Sequence, residues 1–349
     1  MTDQKQNYLG RTGIPVSRII YGTSYLGNLY KELSIEEKLA LMREWFTISD
    51  GSVTIDCAGK YGAGLALQTI GQGLETLGID PQKVIISNKL GWYRVPLESK
   101  EPTFEPGAWV NLKYDAVQKI SYDGILMCWE QGCELLGPKY KASLVSVHDP
   151  DEYLMAATDE QDKARRLQDI KDAYKALFEL KERGEVRAIG IGSKDWLTIK
   201  LLYEDIKFDW VMFANKFTLY HHPREIIAFM QKLANDGVGI INSAIFNAGF
   251  LTGGDYFDYQ LIRWDEPKNR HLFEWREKFH RVCNDFKISP GDACLKFGIS
   301  APQITAVALN PSKASRMKHN VEVLRTDFST EFWNALKQEN IIDPEYPYL

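Results

Sequence analysis

The sequence predicts an α/β fold, a single (β/α)8 TIM barrel with an N-terminal β-hairpin and a C-terminal extra helix. Short β-branched or apolar runs alternate with longer segments of helical periodicity along the whole chain, and that alternation is typical of parallel α/β architecture. Eight such apolar runs occur, which is the number of strands in a closed barrel. No Ser/Gly-rich linker, low-complexity tract or abrupt change of charge divides the 349 residues. We therefore expect residues 1–349 to form one domain.

Each predicted element follows from its local pattern. Residues 9–16 have the glycine spacing of a small hairpin that could close the bottom of the barrel. The predicted strands are 18–21, 53–56, 83–88, 143–148, 186–192, 209–214, 238–243 and 304–309. Helical patterns occur in 35–47, 64–77, 122–136, 164–183, 224–235, 272–286 and 313–324, and one further helix is expected over 328–340. Residues 91–122 are long and polar, so we expect a loop over the carboxyl-terminal face of the barrel.

The composition is that of a globular protein with a large core, since 44% of the residues are apolar and 26% are charged. The formal net charge of −5 gives no general attraction to nucleic acid or anionic membranes, so we expect neither as a partner. No signal-peptide core and no run of eighteen apolar residues is present, which favours a cytoplasmic location. The five cysteines contain no C-x-x-C pair and are interpreted as core residues. His221 and His222 lack spaced ligand partners and are expected to face solvent, so no metal site is predicted.

Four polar residues stand where predicted strands end. Asp56 closes the second strand, Lys89 follows the third, His148 closes the fourth, and Tyr61 lies five residues after Asp56. Strand ends of a barrel meet around one mouth, so we expect these residues to converge. Reduction of a carbonyl needs a proton donor, and a phenol with a pKa of about 10 is a poor reversible donor near neutrality. We expect Lys89 to favour the phenolate, Asp56 to hold Lys89, and His148 to orient the substrate oxygen.

Three motifs around these residues carry a family resemblance. TIDCAGKYG over residues 54–62, ISNKLG over 86–91 and VSVHDP over 145–150 resemble the tetrad motifs of the aldo-keto reductase superfamily. The resemblance runs through nearly the whole chain. Within the superfamily, SYDG over 121–124, HDPD over 148–151 and the short tail after Phe332 and Trp333 resemble the branch of L-fucose, D-threo-aldose and L-galactose 1-dehydrogenases.

The resemblance implies hydride transfer between NAD(P) and C1 of a free aldose, giving a lactone, with Tyr61 as the general acid/base. It also implies a dinucleotide extended across the barrel mouth, and the sequence lacks a G-x-G-x-x-G turn after its predicted strands. The implied cofactor-binding residues are Gly22, Thr23, Ser193, Asn215, Ser243, Ser312, Lys313, Arg316 and Asn320. Trp92, on the loop after Lys89, and Asp149 are the candidate substrate contacts.

Residues expected around the barrel mouth bear on the choice between NADP and NAD, and three of them depart from the family pattern. Arg316 stands four residues before Asn320, the family spacing at which an arginine meets the 2′-phosphate of NADP, so the sequence favours NADP with NAD as the alternative. Ser193 and Asn215 stand where many members have an Asn and a Gln, so contacts with the nicotinamide amide are expected to be rearranged. Lys60 beside Tyr61 is uncommon, and it either alters substrate polarity or points to solvent.

Two other functions stay open from the sequence. An NADPH-dependent reductase of small aldehydes or ketones would use the same tetrad, whereas a cofactor-binding regulatory subunit would hold the cofactor and turn over slowly. For the aldose dehydrogenase and for the reductase, the expected partner is a small sugar or carbonyl substrate. The expected assembly is a monomer or a small homo-oligomer.

Overall fold

The computed structural model describes residues 7–49, 51–311 and 313–349. The strands in these ranges are β1 (Ile19–Gly22), β2 (Val53–Ala58), β3 (Val84–Leu90), β4 (Trp92–Pro96), β5 (Tyr114–Gln118), β6 (Leu144–His148), β7 (Ala188–Ser193), β8 (Trp210–Ala214), β9 (Gly239–Ser243), β10 (Tyr256–Phe257), β11 (Gln260–Leu261) and β12 (Ile304–Leu309). Eight of them, all parallel, close into a barrel in the order β1-β12-β9-β8-β7-β6-β3-β2. This confirms the predicted fold class.

Helices connect the barrel strands and cover its outside. They are α1 (Ile35–Ile48), α2 (Leu65–Thr76), α3 (Tyr122–Leu136), α4 (Pro150–Met155), α5 (Glu160–Glu182), α6 (Trp196–Asp205), α7 (Arg224–Asn235), α8 (Arg270–Asp285), α9 (Pro290–Gly298), α10 (Ala314–Arg325) and α11 (Thr330–Gln338). Side chains cap several of them; Ser34 and Glu37, for example, form a reciprocal capping box at the start of α1. No helix within the described ranges is long and apolar enough to cross a membrane.

Two parts of the structure differ from the sequence prediction. Residues 91–122, expected to be a loop, contain the antiparallel pair β4 and β5, in which Trp92 lies opposite Gln118. The segment 92–118 is called the mouth hairpin below. Its two strands are 17 residues apart (97–113) and neither alternates cleanly, so only their pairing in space reveals them. Helices α4, α6 and α9 also lie outside the predicted helices, because each is ten residues or shorter and so is shorter than the window of about 11–18 residues in which helical periodicity is identified.

The N-terminal hairpin closes the bottom of the barrel, as predicted. Tyr8 and Pro15 form an antiparallel bridge, and the backbone N–H of Leu9 donates to the carbonyl of Ile14 at 3.0 Å. Leu9 is fully buried and packs with Ile14 against inward side chains of the barrel, including Trp210. Gly10 has a φ of +54°, and a Cβ there would lie 2.4 Å from the carbonyl oxygen of Gly237. A residue other than glycine would therefore push the hairpin off the barrel.

The C-terminal segment packs back on the barrel through a histidine. The backbone N–H of Asp343 donates to His222 Nε2 at 3.0 Å, and His222 Nδ1 lies 3.1 Å from the carbonyl oxygen of Thr218. The imidazole also lies against Phe297, with ring centroids 4.9 Å apart. Because one ring nitrogen accepts and the other donates, the neutral tautomer satisfies both contacts. The expectation that His222 faces solvent is therefore wrong.

The register of the barrel places polar residues at one edge. Asp56 lies opposite Gly22 on β1 and Ser87 on β3, while Lys89 lies opposite Ser146 and His148 lies opposite Gly192. These positions are at the carboxyl-terminal ends of neighbouring strands, where side chains can reach a common mouth.

The packing of Leu9 predicts that the N-terminal hairpin stabilises the barrel. Leu9→Ala is expected to lower the free energy of unfolding by about 2–5 kcal/mol, because it removes a fully buried side chain and leaves a cavity. Denaturant unfolding followed by circular dichroism measures this change. Leu197→Ala is the matched control, since Leu197 is 55% exposed and its loss should change the stability by no more than about 0.5 kcal/mol. Equal effects of the two substitutions would contradict the assignment.

Candidate active site

A buried ion pair joins the ends of β2 and β3. Lys89 Nζ lies 2.5 Å from Asp56 Oδ2, and both side chains are about 5% exposed. Ser87 Oγ donates a hydrogen bond to the second carboxylate oxygen of Asp56 at 3.1 Å, and Thr23 Oγ1 donates to the Asp56 carbonyl at 2.9 Å. These contacts leave the Asp56 carboxylate with a fixed orientation, and that carboxylate holds the lysine ammonium in place.

Tyr61 lies in the turn after β2, with its ring beside that ammonium. Lys89 Nζ is 4.9 Å from the centroid of the phenol ring. The turn reaches this position because Gly62 approaches the backbone of Gly27 so closely that a Cβ on Gly62 would lie 2.3 Å from the Gly27 carbonyl oxygen. Gly62 also has a φ of +62°, which glycine adopts without strain. The two glycines thus set the place of the phenol.

His148 completes the group from the end of β6. Its ring meets the ring of Tyr61 edge-on, with centroids 5.7 Å apart and an interplanar angle of 85°. Its Nε2 lies 3.4 Å from Asp149 Oδ2, whereas its Nδ1 is buried and has no hydrogen-bond partner among the described residues. The structure therefore brings together all four residues that the sequence placed at strand ends.

Burial and the neighbouring charges together decide the protonation of these groups. Burial raises the pKa of Tyr61, and the nearby Lys89 ammonium offsets only part of that rise. Burial would lower the pKa of Lys89, but the carboxylate of Asp56 outweighs it and raises the pKa. Burial, with Lys60 and Lys89 nearby, holds the pKa of His148 well below its usual range. Near neutral pH the site holds a neutral phenol, a charged ammonium and a neutral imidazole, so the expectation that Lys89 brings Tyr61 towards phenolate is only partly met.

Lys60 joins a chain of ion pairs across the mouth. Its Nζ lies 2.7 Å from Glu105 Oε1 and 3.4 Å from Glu152 Oε2, and Glu152 pairs in turn with Lys194 at 2.5 Å. The Lys60 side chain is 4% exposed. The alternative that Lys60 points to solvent is therefore wrong. The sequence alone did not reveal the two carboxylate partners of Lys60, because they lie 45 and 92 residues further along the chain.

Aromatic side chains of the mouth hairpin line the same region. The ring of Trp92 lies 5.1 Å from Lys60 Nζ and packs against Phe104. Phe104 contacts Trp109, whose ring lies 6.1 Å from that of Tyr61. Of these three, the sequence analysis singled out only Trp92; the uncommon length of 91–122 was the available signal for the others.

Asp149 and Asp151 follow β6, which is the neighbour of β3 in the barrel. Asp149 has a φ of 44° and precedes α4. Asp151 is buried; its Oδ2 accepts backbone hydrogen bonds from Lys194 and Asp195, and its Oδ1 has no partner among the described residues. Burial and the charge of Asp149 raise the pKa of Asp151 to about 6. Sequence reasoning quoted Asp151 only as part of a motif and gave it no role.

Five of the expected cofactor-binding residues lie at strand ends around the mouth. Gly22 ends β1 and Thr23 follows it, Ser193 ends β7, Asn215 follows β8, and Ser243 ends β9. The hydroxyls of Ser193 and Ser243 are used within the protein: Ser193 Oγ exchanges hydrogen bonds with the Asp195 backbone, and Ser243 Oγ donates to the carbonyl of Phe213.

The side chain of Asn215 differs from those of Ser193 and Ser243 in its hydrogen bonding. It is buried, has a φ of 59°, and its Oδ1 has no hydrogen-bond partner in the described part of the chain. A buried amide oxygen without a donor is an acceptor suited to the carboxamide of a nicotinamide ring. The residues at this edge of the mouth therefore fit such a group.

Three other expected cofactor residues belong to α10 and the residue before it, which follow β12. Lys313 is the residue before the helix; Lys313 and Arg316 are exposed, and Asn320 is half-buried. Ser312 lies outside the described residues. The two exposed cations stand at a helix N-terminus, which itself favours an anionic group.

The family of this chain follows from its similarity to known proteins. A sequence profile described as the aldo/keto reductase family matches residues 18–341. The chain belongs to the aldo/keto reductase family. It is therefore an NAD(P)-dependent oxidoreductase, from a family that acts on small carbonyl or sugar substrates with a nicotinamide cofactor.

Relatives of this aldo/keto reductase include two dehydrogenases. It is 25% identical to pyridoxal 4-dehydrogenase from Microbacterium luteolum, over 96% of this chain and 97% of that protein. It is 23% identical to D-threo-aldose 1-dehydrogenase from a Pseudomonas species, over 95% of this chain and 96% of the relative. Among solved structures, the glycerol dehydrogenase of Gluconobacter oxydans superposes with a TM-score of 0.67 at 17% identity, covering 98% of this chain and 96% of the other. That likeness concerns the fold.

The buried pair of Asp56 and Lys89 predicts strong coupling between the two residues. Asp56→Asn is expected to cost about 3–5 kcal/mol of unfolding free energy, because it leaves the Lys89 ammonium buried beside a neutral amide. Adding Lys89→Met removes that unpaired charge, so the double variant should be more stable than the sum of the two single losses implies. Denaturant unfolding of the four proteins measures the coupling, and additive losses would contradict it.

Proposed function

We propose that this aldo/keto reductase oxidises C1 of a free aldose of the L-fucose, D-threo-aldose or L-galactose type to the lactone, with NADP or NAD. The observation that carries the proposal is the phenol of Tyr61, placed between the Lys89 ammonium and the His148 imidazole at the barrel mouth. Once deprotonated, this phenol is a proton acceptor beside a fixed positive charge and a neutral hydrogen-bonding ring, which is what removal of a hydroxyl proton requires. The D-threo-aldose 1-dehydrogenase among the relatives supports an aldose as the substrate.

In this proposal Tyr61 reacts in its phenolate form, which takes the proton of the anomeric hydroxyl; because the pKa of the phenol is raised, oxidation is expected to be faster at alkaline pH. Lys89 favours the phenolate that must form first, since its ammonium lowers the pKa of the phenol and so stabilises the negative charge that the oxygen carries before it accepts the proton. Asp56 acts through Lys89 by fixing the position of the ammonium. His148 stays neutral in its buried position, so one ring nitrogen can donate to the substrate oxygen while the other accepts.

The cofactor, when bound, supplies the hydride acceptor for C1. Asn215 is proposed to hold the nicotinamide amide through its unpartnered Oδ1, with Ser193 and Ser243 beside it. Gly22 and Thr23 would border the ring from the end of β1, and Ser312, Lys313, Arg316 and Asn320 would bind the adenosine end. Trp92 offers an aromatic face and Asp149 a carboxylate to the sugar, which presents both C–H and hydroxyl groups.

A panel of free aldoses tests the proposal. L-fucose, L-galactose and D-arabinose, each with NADP and with NAD, should give lactone and reduced cofactor. Tyr61→Phe should lower kcat by about 100- to 10,000-fold, because it removes the proton acceptor, while cofactor affinity measured by fluorescence titration stays nearly unchanged. Activity of Tyr61→Phe within a few-fold of the parent enzyme would exclude the assigned role.

A second candidate is reduction of small aldehydes or ketones with NADPH. The raised pKa of Tyr61 favours it, because a neutral phenol is ready to donate a proton at neutral pH. In the same assay, turnover of simple aldehydes without lactone formation from any aldose would support this candidate. Pyridoxal belongs in the panel, since a relative is named for its oxidation. Cofactor binding without any turnover would instead indicate a regulatory subunit.

Arg316 is the proposed determinant of NADP binding. Its exposed guanidinium at the start of α10 can form charge-assisted hydrogen bonds with a 2′-phosphate that NAD lacks. Arg316→Ala is expected to weaken NADP binding by about 2 kcal/mol and to change NAD binding little. Dissociation constants for both cofactors measure the difference, and Lys318→Ala on the same helix is the control. Equal losses for NADP and NAD would place Arg316 away from the 2′ position.

A further inference from the structure

The mouth hairpin reaches the reaction pocket with a side chain that the tetrad does not include. Trp109 lies in the loop between β4 and β5, is largely buried, and packs beside the phenol ring of Tyr61 with centroids 6.1 Å apart. With Phe104, Ala63 and Ala116 it forms a small apolar cluster separate from the main core. The phenol of Tyr61 is therefore bounded by Lys89, His148 and Trp109, and only Trp109 comes from the hairpin.

Polar contacts set the position of Trp109 through one carboxylate. The indole Nε1 donates to Glu105 Oε2 at 2.8 Å, and Glu105 Oε1 pairs with Lys60 Nζ at 2.7 Å. Lys60 is the residue directly before Tyr61. The Glu105 carboxylate thus connects the hairpin indole to the turn that carries the phenol.

Lys60 is held as a buried cation at this point. Burial would lower the pKa of its ammonium, but the carboxylates of Glu105, Asp149 and Glu152 outweigh burial and raise the pKa. Glu152 is itself paired with Lys194, so the ammonium of Lys60 is fixed from the α4 side as well. A buried charge with satisfied partners gives a rigid anchor, because leaving it without partners is costly.

The hairpin is also attached to the segment that follows β1. The backbone N–H of Tyr30 donates to the carbonyl of Ala108 at 2.7 Å, and the N–H of Val110 donates to the carbonyl of Asn28 at 3.0 Å. These bonds fix the backbone on both sides of Trp109, but neither faces Tyr61. The orientation of the indole towards the phenol depends on the contact with Glu105.

We propose that the ion pair of Lys60 and Glu105 holds Trp109 against Tyr61, so that the mouth hairpin forms the wall that keeps water from the phenol. Glu105 and Lys60 are then positioning residues, and Trp109 is the residue that borders the reacting group. The reactive role of Tyr61 rests on the proposed function, whereas the contact between the hairpin and the turn does not. Burial of the phenol raises its pKa, in agreement with such a wall.

The pH profile of kcat/KM for aldose oxidation tests the wall. Tyr61 is faced by Asp56 from β2, Lys89 from β3, His148 from β6 and Asp149 before α4, and the hairpin adds no charge in contact with the ring. Trp109→Ala admits water to the phenol without changing any charge. The limb of the profile that reports deprotonation of Tyr61 should therefore move to lower pH by about one unit, which is part of the shift of 3–5 pKa units that full burial can produce.

Lys60→Met separates positioning from a simple effect of charge. Loss of a cation near the phenol would by itself move the limb to higher pH, whereas loosening the wall moves it to lower pH. We expect the lower-pH shift of Trp109→Ala to appear in Lys60→Met too. Lys175→Met, which removes a surface pair with Asp172, is the matched control and should leave the profile unchanged. An unmoved limb, or a shift to higher pH, in Lys60→Met would overturn the proposal.

Hydrogen exchange gives a readout that needs no turnover. Glu105→Gln keeps an oxygen for the Trp109 indole, removes the charge that pairs with Lys60, and changes a half-exposed side chain, so the fold should be retained. Mass-resolved amide exchange over residues 97–113 should be at least several-fold faster than in the parent enzyme, with the control Lys175→Met unchanged. Equal exchange in Glu105→Gln and the parent would overturn the anchor even if Tyr61→Phe abolishes turnover. Faster exchange together with an active Tyr61→Phe would retain the anchor and reject the proposed function.

Discussion

Closure of the eight parallel strands is the constraint on which this structure depends. A closed parallel barrel has two ends of different character, and every strand delivers its carboxyl end to the same one. At the other end Leu9 and Ile14 fill the opening with apolar side chains, so that end needs no polar residue. The pairing of β2 with β3 and of β3 with β6 then brings Asp56, Lys89 and His148 to one mouth. The site is a consequence of the register.

The lysine side chains in this mouth form ion pairs with carboxylates. Lys89 lies against Asp56 and Lys60 against Glu105, while Lys194 pairs with Glu152 at the rim. In a poorly solvated pocket, an unpaired charged group would either change its protonation state and become neutral or destabilise the fold. Tyr61 and His148 lie beside Lys89 and Asp149, yet burial is the largest effect on the pKa of each and keeps both neutral. The groups proposed to contact the substrate oxygen are thus uncharged near neutral pH, although charged groups surround them.

The mouth hairpin lies outside the barrel sheet. Its strands contribute nothing to the barrel, yet its loop places Phe104 and Trp109 beside Tyr61 in the turn after β2. A segment of this kind can change the shape of the pocket without disturbing the register of the barrel, because it is attached to the segment after β1 through two backbone hydrogen bonds and to the rest of the mouth through side chains. Differences in substrate among proteins of one barrel fold arise most readily in segments of this kind.

The sequence by itself determined the eight barrel strands, the closing hairpin and the four residues of the tetrad. Those predictions rest on apolar periodicity and on the polar residues directly after strands. Both are local properties, so they can be identified from the order of residues alone. Only the tertiary structure decided the pairing of Trp92 with Gln118, the partners of Lys60 and His222, and the net rise in the pKa of Tyr61. Each of these depends on contacts between residues far apart in the chain, or on how completely a group is buried, and neither quantity is written in the spacing of the residues.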